Sequence, residues 1–148
     1  MEMNETTTRL HQLLSSTEEL LSQMPLSRLS HKPLPEKWSK KEILGHLIDS
    51  AINNLQRFTE IQYMPRPYAI RKYRQDELVV ANHYQEAMVD ELLMLWLALN
   101  RRIARVMDQQ TEETLAYEIL VDDQKRDLRF LMVDYVDHMA HHLNQIRS

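Results

Sequence analysis

Two histidines, His138 and His142, stand four residues apart near the end of the chain. On a helix of about 3.6 residues per turn, that spacing sets the two imidazoles about 40° apart on one face. Imidazoles so placed can grip a single metal ion. A third histidine, His46, lies far upstream on a separate predicted helix. If it meets the pair across a helix–helix contact, the result is a three-histidine site with room for water or substrate. Three neutral imidazoles leave a coordination position open on zinc, nickel, iron or manganese. Such an ion lowers the pKa of bound water to about 7.

The alternative is plain: partly buried histidines making ordinary hydrogen bonds. The chain has seven histidines, enough for a four-apart pair to arise readily by chance. His46 lies roughly opposite the apolar stripe of its own helix, in company with Glu42, Asp49, Ser50, Asn53 and Arg57. Periodicity alone reads that face as solvated, whereas a functional reading makes it the wall of a polar pocket. Asp134 and Asp137 could orient ligand histidines by accepting their second N–H, although Asp137 reads better as a surface charge. Trp38 and Trp96 read as packing anchors.

The elements that must position these residues are helices. A first helix is expected over about Glu5–Met24, where Leu10, Leu13, Leu14, Leu20 and Leu21 recur at helical spacing and Pro25 follows. A loop with Pro33, Pro35 and Trp38 comes next. Ser39 and Glu42 form a capping-box pattern opening a second helix, Lys40–Gln62, which ends at Pro65 and Pro67. The stretch from Arg66 to Tyr84 is read either as loop to Asn82 or as a helix starting at Asp76. A third long helix is expected over Tyr84–Met107. Leu115, Tyr117, Ile119 and Val121 alternate, which predicts a short strand or extended arm before an Asp122–Asp123 turn. A fourth helix is expected over Asp127–Ile146. The expectation is an all-α chain forming one domain over residues 1–148: an antiparallel four-helix bundle with a short extended arm before its last helix.

Composition narrows the function classes. The chain has 148 residues, 43% of them hydrophobic and 27% charged, with a formal net charge of -4. That balance predicts no nucleic-acid partner. The basic cluster from Arg66 to Arg74 reads as a solvated loop. One glycine, Gly45, excludes Gly-rich phosphate cradles, and the lack of cysteine excludes a cysteine nucleophile, a thiolate zinc site and an iron–sulfur cluster. No segment reads as a signal peptide or a membrane span, so a cytoplasmic protein is expected.

The segment Lys37-Trp38-Ser39-Lys40-Lys41-Glu42-Ile43-Leu44-Gly45-His46-Leu47-Ile48-Asp49-Ser50 resembles the start of the second helix in the DinB-like superfamily, which includes YfiT-type metal-dependent hydrolases. The segment His138-Met139-Ala140-His141-His142-Leu143-Asn144-Gln145 is similar to that family's closing His-x-x-x-His motif. The resemblance implies a four-helix bundle whose ligands to one divalent metal are His46, His138 and His142, with His141 at a non-ligand position. It departs from many members at Leu143-Asn144, where a basic residue and a glycine are common. By this resemblance the chain is expected to be a metal-dependent hydrolase of a small molecule, with Glu42, Asp49 or Asp134 as base and zinc or nickel ahead of iron or manganese. Thiol transfer from a low-molecular-weight thiol is the second expectation, with Arg57 or the 66–74 segment holding anionic groups. A non-catalytic, stress-associated metal-binding bundle is the third, which a fourth protein ligand such as Glu42 or Asp49 would favour. A homodimer is expected, through an exposed apolar stripe on the first or third helix.

Overall fold

The computed structural model describes residues 3–148. Four long helices make up its body: α1 (Met3–Gln23), α3 (Lys40–Glu60), α5 (Val89–Asp108) and α7 (Leu128–Arg147). Between them lie the short helices α2 (Leu26–Ser30), α4 (Gln75–Ala81) and α6 (Glu112–Leu115), and a 3-10 turn at Tyr84–Glu86. Sequence signals explain the ends. Ser39 caps α3 by accepting from the Glu42 N–H, while the Glu42 carboxylate accepts from the Ser39 N–H, the expected capping box. Asp127 caps α7 by accepting from the Phe130 N–H at 2.8 Å.

Around the bundle, α1 neighbours α5 and α7, and α3 neighbours α5 and α7. The pairings also fix direction. Arg9 pairs with Asp137 and Ser16 with Arg147, so α1 and α7 run the same way. Gln85, just before α5, meets Ser39 and Lys41 at the start of α3. Gln110, just after α5, meets Gln62 just after α3, so these two also run parallel. Lys40 reaches carbonyls at the far end of α7, and Phe58 packs edge-on against Tyr135, which makes α3 and α7 antiparallel. The bundle thus follows an up–down–down–up course.

That course has a steric consequence. Because α5 restarts at the level where α3 began, residues 61–88 must return along the bundle. They do so over the polar side of α3. Arg57 donates to the Arg71 carbonyl at 2.7 Å, Asn82 donates to Asp49 at 3.1 Å, and Lys41 donates to the Gln85 carbonyl at 3.2 Å. As a result every residue from Lys41 to Ala51 is buried. At Gly45 the returning chain lies close against α3: a Cβ there would sit 2.2 Å from the Tyr84 ring. Only glycine admits that approach.

A small sheet accompanies the helices. The strands β2 (Glu118–Val121) and β3 (Gln124–Asp127) form an antiparallel hairpin, and β1 (Tyr68–Ala69) joins β2 in parallel. The hairpin turns on Asp122 (φ 49°) and Asp123 (φ 66°). Two consecutive positive φ values mark a primed turn, whose twist matches that of the strands.

The expected short strand or extended arm before the last helix is β2, and the chain is otherwise mostly helical, as expected. Several boundaries also move. The loop after Pro25 contains α2. The third long helix starts at Val89 rather than Tyr84, because α4 and the 3-10 turn occupy the end of the return segment. The core centres on Trp96, Phe58, Ile103 and Met107, all fully buried. On α5, Met94 and Leu95 remain exposed.

Candidate metal centre

His46 lies in the second turn of α3, and His138 and His142 lie near the end of α7. The antiparallel packing of these helices brings the three rings together. His138 Nε2 is 3.1 Å from His142 Nε2 and 3.5 Å from His46 Nε2. One nitrogen from each ring lies within 4.8 Å of the other two. For bond lengths of about 2.0–2.1 Å, two nitrogens on a tetrahedral ion are about 3.3 Å apart, so the spacing fits such an ion.

The surroundings aim these rings. His142 Nδ1 donates to the Gln145 side-chain oxygen at 2.8 Å, leaving the Nε2 lone pair directed at the other histidines. Trp38 covers His46 with ring centroids 4.9 Å apart. His46 is fully buried, and its Nδ1 has no hydrogen-bond partner among the described residues. Burial, followed by the neighbouring histidines His142 and His138, pushes the His46 pKa down to about 4. Burial followed by His142 and His141 does the same for His138. His142 is also lowered, mainly by burial. All three imidazoles are thus neutral at pH 7, the form that can ligate a metal.

The carboxylates are placed differently from one another. Among the described residues none joins the histidine group. Glu42 is committed to the α3 cap and to an ion pair with Lys32. Asp49 is buried, and its Oδ1 accepts from the Tyr84 hydroxyl at 2.7 Å and from Asn82. Burial raises its pKa, and the Tyr84 hydrogen bond opposes that rise. Asp134 lines a cleft of about 380 Å³ that also has His138 in its wall. Its pKa is raised by burial and then by Asp137. Asp137 pairs with Arg9 at the surface, so it does not orient a histidine.

The solvated reading of the His46 face does not hold, because the return segment covers it. The basic residues of the 66–74 segment are exposed, as expected of a solvated loop, and three of them have partners. Arg66 donates to the Ile61 carbonyl and stacks over Tyr117, Lys72 pairs with Asp122, and Arg74 pairs with Glu77. Sequence reasoning missed Gln145 as the partner of His142. Its signal was present in its position three residues beyond that histidine.

The sequence matches the DinB superfamily over residues 9–146. The chain belongs to the DinB superfamily. Solved structures agree on the fold. YfiT from Bacillus subtilis, described as a probable metal-dependent hydrolase with an unusual four-helix bundle topology, superposes with a TM-score of 0.88 at 20% identity. The match covers 99% of this DinB chain and 84% of that one. A mycothiol-dependent maleylpyruvate isomerase superposes with a TM-score of 0.71 at 15% identity, over 97% of this chain and 60% of its own. A mutant of that isomerase gives a TM-score of 0.70 at 14% identity, with the same coverage. A comparison with curated proteins finds none that matches. No described helix of this DinB protein is long and apolar enough to cross a membrane.

Proposed function

We propose that this protein holds one divalent metal through His46, His138 and His142 and uses it as a hydrolase of a small molecule. The observation that carries this reading is the convergence of three neutral imidazoles without a carboxylate in the group. Structural zinc is usually closed by four protein ligands, so three ligands favour a catalytic centre over a brace between helices. Zinc or nickel suits the all-nitrogen donor set best. Bound there, the metal would supply Lewis acidity and a route to a nucleophile at neutral pH.

The residues of the chain do the rest. Gln145 holds His142 in one tautomer and orientation. Trp38 shields His46 from water. Of the three candidate bases, Asp134 is the one whose side chain lines the cleft shared with His138. We assign it the role of taking up the proton, since Glu42 is engaged with Lys32 and Asp49 is buried outside that cleft. The mycothiol-dependent structural neighbour favours a second reading in the same site: transfer of a low-molecular-weight thiol supplied as cosubstrate.

The test begins with protein purified without a nickel column or histidine tag. Mass spectrometry of the wild type, after exposure to zinc or nickel, is expected to find about one equivalent of metal. His46→Ala and His138→Ala are each expected to lose it while keeping their helical circular dichroism. A folded wild type that takes up neither metal would overturn the proposal. Metal-loaded protein then enters parallel screens for ester and amide hydrolysis and for thiol transfer.

A further inference from the structure

The cleft beside His138 has walls from α3, α7 and the return segment. Its most unusual member is Arg57. The guanidinium is half-buried, and burial lowers its pKa. It donates to the Asn54 side-chain oxygen at 3.3 Å and to the Arg71 carbonyl at 2.7 Å, and lies over the Tyr73 ring at 5.5 Å. All of these partners are neutral. Among the described residues no carboxylate pairs with Arg57. Glu60, one turn on, instead accepts from Gln56 at 2.6 Å and Tyr68 at 3.4 Å. Other arginines here do find acids: Arg9 has Asp137, Arg74 has Glu77, and Arg129 has Glu112.

A partly desolvated cation normally has a counter-charge, because taking it out of water unpaired is costly. A guanidinium carries five N–H donors in a planar fork, so the two bonds seen here leave donors for a ligand. The remaining walls define that ligand further. Ile70, Val121, Phe130 and Leu131 are apolar and suit a hydrocarbon body. Asp134 faces the same cleft, and its negative charge disfavours a phosphate dianion more than a single carboxylate.

We propose that Arg57 holds the carboxylate of a small substrate or cosubstrate whose apolar body lies along this cleft and whose reacting group reaches the three histidines. This rests on the metal-centre reading above.

The test uses cobalt(II)-loaded protein and thiol probes anchored on the metal, read by the thiolate-to-cobalt absorption band. Mercaptopropionate, mercaptohexanoate and mercaptooctanoate are titrated beside the matching mercaptoalcohols, which lack the carboxylate. At the chain length that spans the cleft, the carboxylate is expected to tighten binding about tenfold or more. Arg57→Gln should abolish that preference while leaving mercaptoalcohol affinity unchanged, and Arg57→Lys should restore part of it. Lys72→Gln should keep it. Equal affinities for acid and alcohol at every length, or a preference that survives in Arg57→Gln, would overturn the inference. So would cobalt-loaded protein that binds no probe. Failure to load cobalt, zinc or nickel is a separate outcome: it would sink the metal centre itself, and with it this inference.

Discussion

At the residue scale, the neighbours of the three histidines hold them neutral and aimed at one another. Gln145 is the clearest case, since its hydrogen bond selects the tautomer of His142. Gln145→Leu is expected to weaken metal affinity about 10–100-fold, measured by competition with a chelator, with little change in helicity. The lowered pKa values also predict how the metal-free protein responds to acid. His46 and His138 go from an ordinary value of 6.5 to about 4 in the folded chain. Between those values the unfolded chain binds protons that the folded chain refuses. Their contribution is therefore fully present above pH 6.5 and is lost as pH falls towards 4. Urea midpoints across that range should fall with pH, and the slope should flatten in His46→Gln. The grouping of the three histidines was legible because four-residue spacing and the surrounding motifs survive in a bare sequence. The burial of His46 was not, because periodicity describes one helix and carries no record of what later crosses its polar face.

At the element scale, the meeting of α3 with the 3-10 turn depends on one missing side chain. Gly45→Ala adds a methyl group where the Tyr84 ring already lies. Alanine suits a helix better than glycine by about 1 kcal/mol, but overpacking of this kind typically costs about 1–3 kcal/mol. A net loss of stability is expected in urea titrations. Tyr84 should also shift away from Asp49, and a slower-migrating or more weakly metal-binding variant is not needed to see it: the Tyr84 resonances report it directly. A variant more stable than wild type would show that the ring yields easily. The long helices and the α3 cap were readable from apolar spacing and from Ser39 with Glu42. The short α2, the two-residue β1 and the register of β1 on β2 were not, since elements of that length owe their form to tertiary contacts.

On the scale of the whole molecule, direction matters more than helix count. Because α3 and α5 run parallel, residues 61–88 form a return strap over the site. Arg71 and Lys72 are both exposed. Opening the peptide bond between them at an engineered protease site is expected to preserve far-ultraviolet circular dichroism while speeding metal release, measured with a fluorescent chelator. Unchanged release would mean that the strap does not guard the centre. The helix number was legible in the sequence, but the up–down–down–up order was not, because an amphipathic stripe does not encode which way its neighbour runs.

The parallel course of α1 and α7 also separates the two ends of the described chain. Each of these helices has about twenty residues, and a helix of that length spans about 30 Å. Met3 therefore lies towards the opposite end of the bundle from Arg147, which is little more than one turn beyond His142. An affinity handle or fluorescent fusion attached before α1 would leave the centre open. The same attachment after α7 would crowd it, and a polyhistidine tag there would offer competing imidazoles within reach of any incoming ion.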